Sequence, residues 1–184
     1  MGRIILMMNV TLDGCCDHTQ GIADEELHRY AMDLMDQCDG LLFGRIIYQL
    51  MESAWPDIAR SGVGTQFEVD FAHKIDWMPK YVFSRTLDHV SWQNSFLLKG
   101  SVSDEVSKLT ALGKNLLVNG GPGLGSELAQ LGLVDEYHFL VQPIVAGGCG
   151  PKLLGGVRDR LNLKLTETRP FGSGVVLCRY IPVR

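Results

Sequence analysis

The chain has 184 residues, with 17 Lys+Arg against 21 Asp+Glu and therefore a formal net charge of −4. At 46% hydrophobic and 21% charged residues it can bury a full core, which excludes a disordered or collagen-like chain. The acidic balance offers no general attraction for nucleic-acid phosphates or anionic lipid, and no apolar run approaches the roughly 20 residues a bilayer requires.

A single domain over residues 1–184 is expected at this length. Residues Arg3 to Thr11 are apolar on both parities, the pattern of a strand covered on both faces, and Leu12-Asp13-Gly14 marks a turn. From Asp24, a candidate N-cap, Leu27, Tyr30, Ala31, Leu34, Met35 and Cys38 recur at helical spacing. Asp39-Gly40 stops that helix, and Leu41-Leu42-Phe43 reads as a buried strand ending at Gly44-Arg45. A second helix follows with Ile46, Ile47, Leu50 and Met51 as its apolar face. Pro56, Gly62 and Gly64 give Trp55 to Gly64 the look of an irregular excursion before a short helix carrying Phe67, Phe71, Ala72 and Ile75, which Pro79 ends.

Tyr81-Val82-Phe83 and Phe96-Leu97-Leu98 read as short strands, and Val102, Val106, Leu109 and Leu112 line a helix that Gly113 terminates. Leu116-Leu117-Val118 resumes the sheet. Past Gly120-Gly121-Pro122-Gly123, a helix buries Leu124, Leu128 and Leu131 and stops at Gly132. Three strands without intervening helices close the chain: Tyr137 to Val145, Leu161 to Thr168 and Val175 to Val183. The expected architecture is α/β, a three-layer α-β-α sandwich with a mixed, mostly parallel sheet and antiparallel C-terminal strands.

In open α/β sheets the ligand crevice lies beyond the carboxyl ends of the parallel strands. There the sequence places Thr11-Leu12-Asp13-Gly14, Gly44-Arg45, Ser84-Arg85 and Asn119-Gly120-Gly121-Pro122-Gly123. A glycine turn opening a helix presents unpaired N–H groups to an anion such as a pyrophosphate; it is equally what a tight strand-to-helix connection needs. The third glycine of G-x-G-x-x-G is replaced by Ser126, and no Lys-Ser/Thr follows, so neither a Rossmann fingerprint nor a P-loop is present. Arg45 and Arg85 at matching strand ends, with the Ser84 hydroxyl, suit a phosphate monoester, although either alone reads as a surface arginine. Asp13 and Asp24 are the nearest carboxylates for proton supply, against the plainer roles of turn residue and helix cap.

Other chemistries fall away. Five histidines show no H-E-x-x-H spacing, and five cysteines form no C-x-x-C pair, so no metal set is legible and a reducing cytoplasm is expected. Cys15-Cys16 is a reactive-thiol candidate or a buried, inert pair.

The ordered set of strand ends resembles the dihydrofolate reductase-like superfamily, in the branch of the C-terminal reductase domain of RibD. The resemblance rests on Thr11-Leu12-Asp13-Gly14, Leu41-Leu42-Phe43-Gly44-Arg45 with Tyr48, Lys80-Tyr81-Val82-Phe83-Ser84 and Leu117-Val118-Asn119-Gly120-Gly121. It continues through Gly132-Leu133-Val134-Asp135-Glu136, Pro143-Ile144-Val145 and Gly147-Gly148-Cys149-Gly150. It implies NADPH as hydride donor, a pyrimidine- or pteridine-like substrate, and a homodimer. By position, Gly44, Arg45 and Ser84 would hold the adenosine end with its 2′-phosphate. Asn119, Gly120, Gly121, Pro122, Gly123 and Leu124 would cradle the pyrophosphate, and Thr11 and Asp13 would border the nicotinamide. Asp24 falls where such enzymes keep a substrate-binding acid. The zinc-binding deaminase half of RibD, its Asp-Pro segment and the Leu-Pro-Trp turn of dihydrofolate reductases have no counterpart. Dihydrofolate reductase-like activity and a non-catalytic nucleotide-binding dimer are the alternatives.

Overall fold

A computed structural model of the chain describes residues 1–148 and 150–183. Its strands are β1 (Ile4–Thr11), β2 (Gly40–Gly44), β3 (Lys80–Phe83), β4 (Ser95–Leu98), β5 (Leu116–Asn119), β6 (Glu136–Gln142), β7 (Leu163–Pro170) and β8 (Val176–Pro182). They form one sheet in the order β4-β3-β2-β5-β1-β6-β8-β7. From β4 to β6 every pairing is parallel, and β8 runs antiparallel to both β6 and β7. This is the expected mixed sheet.

The helices are α1 (Glu25–Met35), α2 (Arg45–Glu52), α3 (Trp55–Ser61), α4 (Gln66–Trp77), α5 (Val102–Ala111) and α6 (Pro122–Gln130), with a single 3₁₀ turn at His18–Gln20. Alternate residues of β1 explain the two helical layers. Ile5 and Met7 pack with Leu27, Ala31 and Leu34 of α1 and with Phe71 and Ile75 of α4. Ile4, Leu6, Met8 and Val10 face Val102 and Val106 of α5 and Leu124 and Leu128 of α6. A strand apolar on both parities is one buried on both faces.

Several local expectations need correction. The segment after Trp55 is no irregular excursion: α3 forms with Pro56 in its first turn and Gly62 as a left-handed cap at φ +64°. Proline there forfeits only an N–H that the helix start leaves unpaired anyway. Ile46, Leu112 and Leu131, assigned to apolar faces, are exposed; Tyr48 takes the buried place on α2. The three C-terminal strands also shift, since β6 stops at Gln142, whereas β7 extends to Pro170. Cys149 lies outside the described residues.

Candidate functional site

Each helix that follows a parallel strand starts at the sheet's carboxyl edge, so first-turn residues of α1, α2 and α6 gather there. Gly44 of β2 is in register with Phe83 of β3, which sets Arg45 level with Ser84 on the adjoining strand. Arg45 is exposed at the first position of α2, and its Nη1 donates to the Gln49 side chain at 3.3 Å. Ser84 Oγ accepts from the backbone N–H groups of Leu87 at 3.0 Å and Thr86 at 3.2 Å. Ser84 and Arg85 share with Phe83, Leu98 and Glu127 the lining of a cavity of about 260 Å³, which Arg45 does not line.

The turn ahead of α6 explains its glycines. Gly120 and Gly121 have φ of +78° and +84°, and a Cβ on Gly121 would lie 3.3 Å from Ile47. Side chains are disfavoured there on both counts. Gly121 is the N-cap and supplies no side-chain acceptor, while Pro122 has no N–H, so the Gly123 and Leu124 amides are left to an external acceptor. The space where a Gly123 side chain would project is open. Leu124 contributes backbone only, its side chain being buried in the α5–α6 layer. An uncapped helix start beside an exposed arginine fits the phosphates of a dinucleotide such as NADPH.

On the opposite face, a cavity of about 270 Å³ reaches under the same edge. Its walls include Leu27, Ile47, Met51, Trp55 and Phe71, with Asn119 and Gly120 at the turn ahead of α6 and Asn9, His18 and His28 as further polar groups. Asn9 is held by Gln142, whose Nε2 donates to Asn9 Oδ1 at 2.9 Å while its Oε1 accepts from Ile22 N–H. Gln142 is buried and so ties the 17–23 loop over the strand ends.

The two predicted acids are not disposed to supply a proton here. Asp13 accepts from Thr11 Oγ1 at 2.6 Å and from the Ala146 and Gly148 amides at 3.0 Å each. These hydrogen bonds, Thr11's foremost, hold its carboxyl well below the usual carboxylate range. Asp13 therefore fastens the 146–148 turn to the end of β1, where Thr11 is buried. Asp24 caps α1 by accepting from Leu27 N–H at 2.9 Å, and it does not line the cavity although Ala23 and Leu27 do. Burial pushes the Cys16 thiol up to about 11, which favours the inert reading of Cys15-Cys16.

Sequence reasoning missed His28. It flanks the apolar stripe of α1, and its one signal was its place in the first turn of a helix that starts at the ligand edge.

Among the described residues no metal-binding group of three His, Cys, Asp or Glu side chains occurs, and no helix is long and apolar enough to cross a membrane. The parallel sheet with its antiparallel end, clasped by helices and open at the carboxyl edge, is the dihydrofolate reductase-like fold. It matches dihydrofolate reductase of Enterococcus faecalis, complexed with NADP(H), at a TM-score of 0.68 and 10% identity, covering 100% of this chain and 98% of that one. A Shewanella sp. PV-4 protein assigned to riboflavin biosynthesis matches at a TM-score of 0.74 and 22% identity, covering 99% of each chain. The uncharacterized protein YyaP of Bacillus subtilis is 35% identical over 182 residues, 97% of this chain and 94% of YyaP. The RibD C-terminal domain model matches residues 3–177, and the chain belongs to that family.

Proposed function

We propose that this chain is an NADPH-dependent oxidoreductase that reduces a pyrimidine- or pteridine-like heterocycle. The reaction it resembles most is the reduction of 5-amino-6-(5-phosphoribosylamino)uracil in riboflavin biosynthesis. The observation that carries the proposal is the uncapped start of α6 at Gly121, set between the arginine-bearing end of β2 and the apolar cavity. When bound, the dihydronicotinamide supplies the hydride. Arg45 and Ser84 would hold the 2′-phosphate, and the Gly123 and Leu124 amides the pyrophosphate. Asn119 and Gly120 would border both cofactor and substrate. Leu27, Met51, Trp55 and Phe71 would exclude water from the reacting face.

Titration with NADPH and NADH, followed by cofactor fluorescence, tests this reading. Tighter binding of NADPH, weakened about tenfold by Arg45→Ala with NADH unaffected, is the expected result. Equal or absent binding of the two cofactors would remove it. Binding without oxidation across pterins, folates and aminouracils would favour the non-catalytic alternative.

We place the protein in the cytoplasm as a homodimer. β7 is an edge strand whose Leu165 is exposed among polar residues, and its open backbone edge is suited to pairing with a second copy. Light scattering giving a monomer mass would overturn that assignment.

A further inference from the structure

The cavity under the carboxyl edge is lined by no carboxylate among the described residues; its titratable lining groups are His18 and His28. The two differ in how they are held. His18 sits on the exposed 3₁₀ turn with its Nδ1 3.7 Å from Asp17. His28 Nδ1 lies 2.8 Å from the Asp24 carbonyl oxygen, which can only accept, so Nδ1 carries a hydrogen. The ring is boxed by Phe67 and Phe71 at 5.2 Å each and by Trp55 at 6.1 Å. Nε2 has no hydrogen-bond partner among the described residues, which leaves it as the nitrogen that can exchange a proton with a ligand.

The charged groups around that ring are few. On its own helix Asp24 is committed to the cap. Of the elements packed against it, α3 presents Trp55, and α4 presents Phe67, Phe71 and Glu68. Glu68 is engaged by Thr65 in a capping box and also feels the charge of His28. His18 lies on the same cavity wall.

We infer that His28 is a catalytic residue of this cavity, its Nε2, in the ring protonated on both nitrogens, donating to an acceptor nitrogen or oxygen of the bound heterocycle. The cavity therefore selects oxo-pyrimidines over protonated diaminopyrimidines. A cationic ring would find no carboxylate lining the cavity to pair with, whereas a ring oxygen or imine nitrogen finds a fixed donor. The inference deepens the reductase reading and rests on it for the reaction. A reduced nicotinamide held at the turn ahead of α6 would supply the hydride and its two electrons, so that a C–H bond would form and the C=N π pair would pass to nitrogen. The His28 Nε2–H bond breaks as the N–H bond forms. The donor ends oxidised by two electrons, the substrate reduced by two, and the imidazole regains its proton from solvent. At about 270 Å³ the cavity is just below the usual range for whole drug-sized ligands, so it would take the ring and leave a larger substituent outside.

The test is titration of the ¹⁵N-histidine-labelled protein with 5,6-diaminouracil and with 2,4-diaminopyrimidine, read by NMR at the His28 and His18 ring nitrogens. The expected result is a saturable shift at His28 Nε2 with the uracil, and affinity for 2,4-diaminopyrimidine at least tenfold weaker at pH 6.5. His28→Gln should weaken the uracil at least tenfold and remove the alkaline limb of the kcat/KM profile, on which a proton donor loses its hydrogen, while His18→Gln keeps that limb. No shift at His28, tighter binding of the diaminopyrimidine, or a pH profile unchanged in His28→Gln would overturn the inference. A His28 shift in a protein that binds no NADPH would instead separate the two readings, leaving the ligand site and removing the reductase.

Discussion

The two ends of the parallel sheet handle polar groups in opposite ways, and two histidines show the contrast. At the amino end, His138 is buried with both ring nitrogens engaged, Nδ1 with Tyr30 Oη at 2.6 Å and Nε2 with Glu136 at 3.2 Å. Glu136 also receives Arg3 at 2.7 Å and Arg179 at 2.5 Å. Lys80, the first residue of β3, is fully buried and spends its three donors on the carbonyls of Ile75, Asp76 and Met78, each at 2.9 Å. It thereby closes the end of α4. At the carboxyl end, α6 starts without a side-chain cap, Arg45 is exposed, and His28 keeps one nitrogen without a hydrogen-bond partner among the described residues. Saturated polar groups hold a fold; donors left open are what a ligand needs.

The largest effect that would sharpen this contrast is Lys80→Ala. It orphans three carbonyls and opens a cavity, and should cost about 4 kcal/mol in urea denaturation while NADPH binding to the folded fraction stays as in the parent. Glu136→Gln should cost about 2 kcal/mol, because Arg3 and Arg179 lose the carboxylate charge and one of its two acceptor oxygens becomes an amide donor. Weaker cofactor binding in either variant would break the division between the two ends.

Acid should act through the same carboxylate. Burial raises the Glu136 pKa, but its hydrogen bonds to Arg179 and His138 and the charges of Arg179 and Arg3 outweigh that and leave it lowered. With the folded pKa below the unfolded one, its stabilisation is complete above about pH 4.5. It is lost as pH falls through the folded value. Chemical denaturation at pH 5 and pH 3 should show the loss in the parent and a smaller one in Glu136→Gln.

The smallest effect belongs to the carboxyl end. Asp13→Asn should speed hydrogen exchange at the Ala146 and Gly148 amides about tenfold, with little change in global stability. A fall in hydride-transfer rate matching that of a true proton donor would restore Asp13 as a catalytic acid.

Much of this was legible beforehand because it depends on local pattern. The two-sided apolar strand at Ile4–Thr11, the stripe of α1 and the Gly120-Gly121 turn each announce their structure from their own residues. The motif Gly132-Leu133-Val134-Asp135-Glu136 was equally visible, yet its role lies away from the site. Asp135 accepts from the backbone N–H of Ile4, and Glu136 gathers the arginines at the amino end. Pro56 was misread because position within a helix, and not proline itself, decides whether the residue breaks it.

The sequence by itself determined the alternation of strands and helices, the two-faced burial of the sheet and the glycine turn ahead of α6, since each follows from periodicity or from backbone freedom. Tertiary structure alone decided which polar groups are spent and which remain. Asp13 and His28 are both polar residues near the carboxyl edge, but the 146–148 turn folds back to saturate Asp13, while Trp55 and Phe71, from helices brought there by the chain's return, line a cavity with His28. Asp13 accepts from amides more than a hundred residues away, and the rings around His28 come from two other helices, and no local pattern encodes such distances.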